Sequence, residues 1–224
     1  NISGANTVIE ASLKNDVKKV IALSTDKAAA PINLYGATKL CSDKLFSSAN
    51  LYKGSSKTIF SIVRYGNVFN SRGSVVPLFI KMKKNNLFPV THKNMTRFNI
   101  TLIESVKMVE WAINNAKGGE IFVPKLKSYK ILDLARAINP KAKIKIIGIR
   151  PGEKIHEQMI TTDDSYYTYD LGKYFAILNP SIKDLNKYYK KYMKFVPGDS
   201  YSSDKNNFMK IKDLKVLIKN FSEE

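Results

Sequence analysis

Acidic residues are scarce in this chain: 19 Asp and Glu stand against 37 Lys and Arg in 224 residues, a net charge of +18. Cysteine is scarcer still. The lone Cys41 excludes an internal disulfide and fits a reducing, cytoplasmic compartment. Histidine occurs only as His92 and His156, with no cysteine at ligand spacing, so no metal site is expected. No run of about 18 apolar residues exists, which excludes a membrane-spanning helix. A Gly-x-Ser-x-Gly elbow is also missing, and with it a serine hydrolase of that design. The eleven glycines never fall in the Gly-x-x-Gly-x-x-Gly spacing that cradles a dinucleotide pyrophosphate at a helix N-terminus. The chain opens on Asn1 within a helical pattern, so a piece of a longer protein is expected.

The positive excess invites a nucleic-acid partner, but its distribution speaks against one. Lysines are scattered along the whole length and form no arm or tail. Arginine is confined to Arg64, Arg72, Arg97, Arg136 and Arg150, most of them in distinctive segments. Guanidinium makes planar two-point contacts to phosphate that an ammonium cannot. A diphosphate-bearing ligand fits that placement better.

Apolar residues make up 44% of the chain and aromatics 11%, which are globular values. A short continuous apolar run at 20–24 predicts a strand buried on both faces, as in a parallel sheet, and another buried strand is expected at 59–65. Helical spacing predicts helices over 5–16, 34–48, 75–84, 104–115, 131–138 and 211–218. Further strands are expected at 120–123 and 143–149, with paired strands or irregular structure over 166–178. Alternation of this kind means an α/β fold with a mostly parallel sheet. Ligands of such sheets bind beyond the strands' carboxyl ends, where Ser24-Thr25-Asp26-Lys27 and Gly66-Asn67 fall. Residues 1–70 are expected to form the sheet domain and 71–224 mainly a smaller lobe, with later strands returning to the sheet.

Tyr35 and Lys39 stand at i, i+4 on one face of the helix that follows the first buried strand. The ammonium can stabilise a phenolate there, which makes a usable base. The same spacing recurs at Tyr169/Lys173 and Tyr201/Lys205, so alone it is weak. Thr25-Asp26-Lys27 and Pro31-x-Asn33-Leu34 just upstream strengthen it.

Taken together, Ser-Thr-Asp-Lys-Ala-Ala-x-Pro-x-Asn-Leu-Tyr-Gly-Ala-Thr-Lys over 24–39 resembles the signature of the inverting UDP-N-acetylglucosamine 4,6-dehydratases. These belong to the extended short-chain dehydrogenase/reductase superfamily and open pseudaminic acid and related pathways. The resemblance continues through Arg64-Tyr65-Gly66-Asn67-Val68, Ser71-Arg72-Gly73-Ser74-Val75-Val76-Pro77 and Met95-Thr96-Arg97-Phe98. It extends over Gly119–Pro124 and Ile147–Glu157, with a looser echo at Tyr201-Ser202-Ser203.

The resemblance implies a Rossmann-like sheet with a substrate-binding lobe, a bound NADP (NAD being the alternative), and a homo-oligomer. It implies that the chain lacks the first strands and their glycine loop. By the same resemblance, Tyr35 aided by Lys39 takes the proton of the sugar 4-hydroxyl while hydride leaves carbon 4. Lys39 also binds the nicotinamide ribose, and Thr25 supports the developing 4-oxyanion. Lys27 is the base for the carbon-5 proton and Asp26 the acid for the departing 6-hydroxyl. Val68 touches cofactor and Asn67 substrate. Arg72, Gly73, Ser74, Val75 and Val76 line the sugar-nucleotide site, and Arg97, Arg150 and Glu153 form a uridine-diphosphate clamp. Tyr35 itself argues for inversion, since relatives that retain the carbon-5 configuration carry Met there.

Overall fold

The structure, a computed structural model, describes residues 1–221. In chain order it runs α1 (Ile2–Lys14), β1 (Lys19–Thr25), α2 (Leu34–Tyr52), β2 (Ile59–Tyr65), α3 (Val75–Met82), β3 (Leu87–Val90) and β4 (Thr96–Asn99). Then follow α4 (Leu102–Asn115), β5 (Ile121–Pro124), β6 (Lys127–Lys130), α5 (Ile131–Ile138), β7 (Lys143–Ile146) and β8 (Gln158–Ile160). The last elements are α6 (Thr162–Ser165), β9 (Thr168–Asp170), β10 (Tyr174–Ile177), α7 (Lys183–Tyr189), β11 (Met193–Lys194), β12 (Tyr201–Ser202) and α8 (Ile211–Asn220).

These elements form two compact units. The first holds residues 1–65, 103–125 and 158–201, the second 66–102, 126–157 and 202–224. Segments 103–125 and 158–201 belong to the same unit as residues 1–65.

A six-stranded sheet in the order β1-β2-β5-β10-β9-β11 centres the first unit. β1, β2 and β5 pair in parallel, and the remaining neighbours pair antiparallel. The register sets Ser24 opposite Arg64 and Thr25 opposite Tyr65. The run Ile59-Phe60-Ser61-Ile62-Val63 has no polar face because β2 is central, with helices above and below. On one side Met108, Ala112, Phe122, Ala176 and Leu185 close a core. Trp111 meets Phe122 edge-on at 5.0 Å between ring centroids. Burying a side chain such as Phe122 contributes about 1.5–3 kcal/mol.

Glu120 is wholly buried in this unit, which would be costly without partners. It has four donors. The Ser61 hydroxyl donates at 2.7 Å, the Lys117 and Gly118 N–H groups each at 2.8 Å, and the Tyr189 hydroxyl at 3.0 Å. Burial and the Glu120 charge push the Tyr189 phenol far up, so it stays a donor.

In the second unit β3 pairs in parallel with β7, and β4 antiparallel with β6. Phe79, Phe88, Val90, Tyr129, Leu134 and Leu214 build its core. Helix α5 has the strongest amphipathic pattern, and Ile131, Leu134, Ala135 and Ile138 all point inward.

β2 and α5 have the limits their patterns predict, whereas α2 runs a turn further, to Tyr52. Strands β3, β4 and β6 carry no apolar alternation and were not expected. Pro89 lies inside β3, where a missing N–H argues against a strand. β7 stops at Ile146 instead of 149. No helix among the described residues is long and apolar enough to cross a membrane.

Candidate active site

Thr25 closes β1 and caps the short 3-10 turn Asp26–Ala28, accepting the Lys27 backbone N–H at 3.4 Å. Its hydroxyl donates to Asp26 Oδ1 at 2.9 Å, and Lys27 Nζ reaches the same oxygen at 2.9 Å. Asp26 is 0% exposed, and its other oxygen, Oδ2, has no hydrogen-bond partner among the described residues. Ala30, just beyond, has a left-handed φ of 45°, a strained value for a residue with Cβ.

Helix α2 starts against this turn for local reasons. The Asn33 side chain accepts the Gly36 N–H at 2.8 Å and fixes the first turn. Gly36 packs so close to the Lys27 carbonyl that a Cβ would collide with it. Its bare backbone thus lets the turn bearing Tyr35 approach the loop bearing Lys27. Tyr35 is 49% exposed, and its hydroxyl has no partner among the described residues. One turn on, Lys39 Nζ donates to the Leu23 carbonyl of β1 at 3.3 Å.

Behind these residues Ser24, Asp43 and Arg64 form a buried cluster. Asp43 Oδ2 accepts the Ser24 hydroxyl at 2.7 Å and Arg64 Nη2 at 3.0 Å. Burial pushes the Asp43 carboxyl up, against the opposing pull of Arg64, Ser24 and Lys39. Sequence reading missed this cluster, although Asp43 lies one helical turn past Lys39.

The predicted nucleotide residues fall in the second unit. Val68 bridges to Ile100, and Phe69 donates its N–H to the Ile100 carbonyl at 2.8 Å, which fixes the segment that follows Asn67. Gly73, with φ of 77°, turns the chain into α3 at Ser74. The Ser74 hydroxyl is buried without a hydrogen-bond partner among the described residues, Val75 is half-buried and Val76 is buried. Arg72 and Arg150 are exposed and make no ion pair among the described residues.

Arg97 is different. Its guanidinium donates to the Thr96 carbonyl at 2.7 Å and the Ile155 carbonyl at 3.0 Å. Glu153 and Glu157 flank it at 3.7 and 3.6 Å. Glu153 in turn accepts the Thr91 hydroxyl at 3.2 Å. Arg97 and Glu153 are therefore brought together, but with the guanidinium engaged by protein acceptors. Thr96 Oγ1 also lies 2.8 Å from His156 Nδ1 and 2.7 Å from Ser203 Oγ, which gives the Tyr201-Ser202-Ser203 echo a structural partner. No cluster of metal-ligating side chains occurs among the described residues.

A cleft of about 730 Å³ in the first unit lies at the amino ends of β1 and β2, away from the residues above. Lys18, Lys19, Lys53 and Lys57 line it, where the C-termini of α1 and α2 meet. Lys19 donates to the Ile113 carbonyl at 2.7 Å and Lys53 to the Thr58 carbonyl at 2.6 Å. Ammonium groups there complement the helices' negative ends, and no predicted site residue is present.

Comparison with known proteins gives consistent matches. The family model for polysaccharide biosynthesis proteins matches residues 1–179. A curated UDP-N-acetylglucosamine 4,6-dehydratase (inverting) of Campylobacter jejuni is 52% identical over 216 residues. That match covers 92% of this chain and 64% of the relative, so the chain spans under two thirds of that enzyme's length. A UDP-glucose 4-epimerase of Rickettsia bellii is 40% identical over 98% of this chain and 67% of its own length. Among solved structures, Pen from Bacillus thuringiensis superposes with a TM-score of 0.85 at 38% identity, covering 98% of this chain and 67% of that one.

Proposed function

The chain belongs to the polysaccharide biosynthesis protein family, and from that premise we propose that it performs the proton transfers of an inverting UDP-N-acetylglucosamine 4,6-dehydratase. The reaction is a hydro-lyase one. Water leaves carbons 5 and 6 of the hexose, and a 4-keto-6-deoxy sugar nucleotide with inverted carbon 5 results. The observation that carries this reading is the buried Asp26 carboxyl with one oxygen tied to Thr25 and Lys27 and the other without a hydrogen-bond partner among the described residues.

Each residue has one task. Tyr35 accepts the proton of the 4-hydroxyl, with the Lys39 ammonium stabilising the phenolate. The Thr25 hydroxyl, whose one proton goes to Asp26 before substrate binds, turns to donate to the 4-oxygen as negative charge develops there. The 4-ketone acidifies the carbon-5 proton, which Lys27 removes. Asp26 delivers a proton to the 6-hydroxyl through Oδ2, so that the leaving group departs as water.

A solvent proton added to carbon 5 on the face opposite Lys27 completes the inversion. A nicotinamide dinucleotide, NADP or else NAD, would supply the acceptor for the carbon-4 hydride and its source for carbon 6. The residues present suit such a group: Lys39 spends one donor on Leu23 and keeps two for ribose hydroxyls. In the second unit Arg97 and Arg150 would contact the diphosphate and Glu153 the uridine ribose, while Asn67, Arg72 and residues 73–76 would contact the sugar nucleotide and Val68 the cofactor. A homo-oligomer is part of this reading, checked by light scattering.

The test is incubation of the full-length protein with UDP-N-acetylglucosamine and the dinucleotide, followed by mass spectrometry. Loss of one water is expected. A substrate of unchanged mass overturns the reading, and an unchanged mass with an altered carbon-4 configuration by NMR would mean an epimerase.

A further inference from the structure

Tyr35, Lys39 and Asp43 occupy successive turns along one side of α2. Two of them grip adjacent residues of β1. Lys39 Nζ donates to the Leu23 carbonyl at 3.3 Å, and the Ser24 hydroxyl donates to Asp43 Oδ2 at 2.7 Å. Helix and strand are therefore matched turn for residue. A slip of α2 by one residue moves it about 1.5 Å along its axis and breaks both bonds.

Asp43 cannot follow such a slip, because its other partner is held from several directions. Arg64, 1% exposed, stands opposite Ser24 in the β1–β2 register. Its Nη2 donates to Asp43 at 3.0 Å, while Nη1 donates to the Met159 carbonyl of β8 at 3.0 Å and to Asp164 of α6 at 3.4 Å. One guanidinium thus joins α2 to β8 and α6. The strand residue it faces is followed immediately by Thr25 and Asp26. Ion pairs this deeply buried add little net stability when desolvation is counted, whereas breaking one by removing a partner is strongly disruptive.

We propose that Asp43, clamped by Ser24 and Arg64, is a positioning residue that locks the register of α2 on β1 and so holds Tyr35 and Lys39 in place relative to Thr25–Lys27. The inference rests on the function proposed above, in which Tyr35 and Lys39 handle the sugar 4-hydroxyl proton. A reacting group displaced by about 1 Å loses on the order of a hundredfold in rate. Binding contacts made elsewhere on the sugar nucleotide are untouched, so the loss falls on kcat and spares KM.

The experiment uses the full-length protein and four forms: parent, Ser24→Ala, Ser24→Thr and Asp43→Asn. Ser24→Ala should lower kcat by about tenfold, with KM for UDP-N-acetylglucosamine within about twofold of the parent. Ser24→Thr keeps the hydroxyl and should restore kcat to within about threefold. Asp43→Asn should lower kcat by about a hundredfold per folded molecule. Amide hydrogen exchange over 35–43 should accelerate in Ser24→Ala more than over 59–65.

A folded Ser24→Ala or Asp43→Asn protein with parental kcat overturns the proposal, as does an equal loss in Ser24→Thr. So does unchanged exchange over 35–43. Should Asp43→Asn fail to fold, the Ser24 pair decides. A parent with no dehydratase activity overturns the proposed function instead, and the exchange measurement then decides the lock.

Discussion

Lys27 Nζ lies 2.9 Å from Asp26 Oδ1, an amine and a carboxyl paired within one turn at the carboxyl end of a parallel strand. The pairing orders the site: it occupies one oxygen of Asp26 and points the unpartnered one elsewhere. Asp26→Asn keeps the shape and removes the transferable proton. Water loss should fall by at least about a hundredfold with KM little changed, read by mass spectrometry of timed reactions.

Lys27→Met removes the proposed carbon-5 base and leaves Asp26 in place. Solvent deuterium should no longer enter carbon 5 of the sugar nucleotide, as followed by proton NMR in heavy water. Persistence of that exchange would reassign the base.

Tyr35→Phe deletes the phenol from an exposed position without opening a cavity. A decrease of about 10²–10⁴-fold in kcat is expected, with the melting temperature unchanged. A variant of parental rate would place the 4-hydroxyl base on another residue.

Gly36→Ala tests the close approach of α2 to the catalytic loop. The added methyl would meet the Lys27 carbonyl, so helix or loop must shift. Loss of activity and lowered stability should appear together, the latter by about 1–3 kcal/mol in urea unfolding. Gly4, with nothing near its missing Cβ, is the control, and Gly4→Ala should be neutral or stabilising.

Glu120→Gln probes the fold apart from the chemistry. Four donors converge on the carboxylate, and an amide nitrogen would face some of them. Destabilisation of about 1–3 kcal/mol is expected for each donor left unsatisfied, measured by urea unfolding.

The α/β class and the limits of β2 and α5 were legible because burial writes itself into local pattern. Ile59–Tyr65 is apolar at four of its first five positions, and Ile131–Ile138 repeats at helical period. β4 could not be read so. Its residues Thr96, Arg97, Phe98 and Asn99 are polar in composition yet mostly buried, and Arg97 is met there by the Ile155 carbonyl and the Glu153 and Glu157 carboxylates brought from elsewhere. Among site residues, the Thr25–Lys27 group and the Tyr35/Lys39 pair are near in sequence, and their grouping could be inferred. The Ser24–Asp43–Arg64 cluster draws on three elements and could not.

Sequence alone determined which chemical groups this protein owns and which of them share a turn, because those relations lie within a few bonds of the backbone. Tertiary structure decided their state. It buried Asp26 and left one oxygen unpartnered, enclosed Arg97 among carboxylates while exposing Arg150, and gave Glu120 its four donors. Desolvation and hydrogen bonding depend on what the rest of the chain brings within about 3 Å, and no local pattern encodes that.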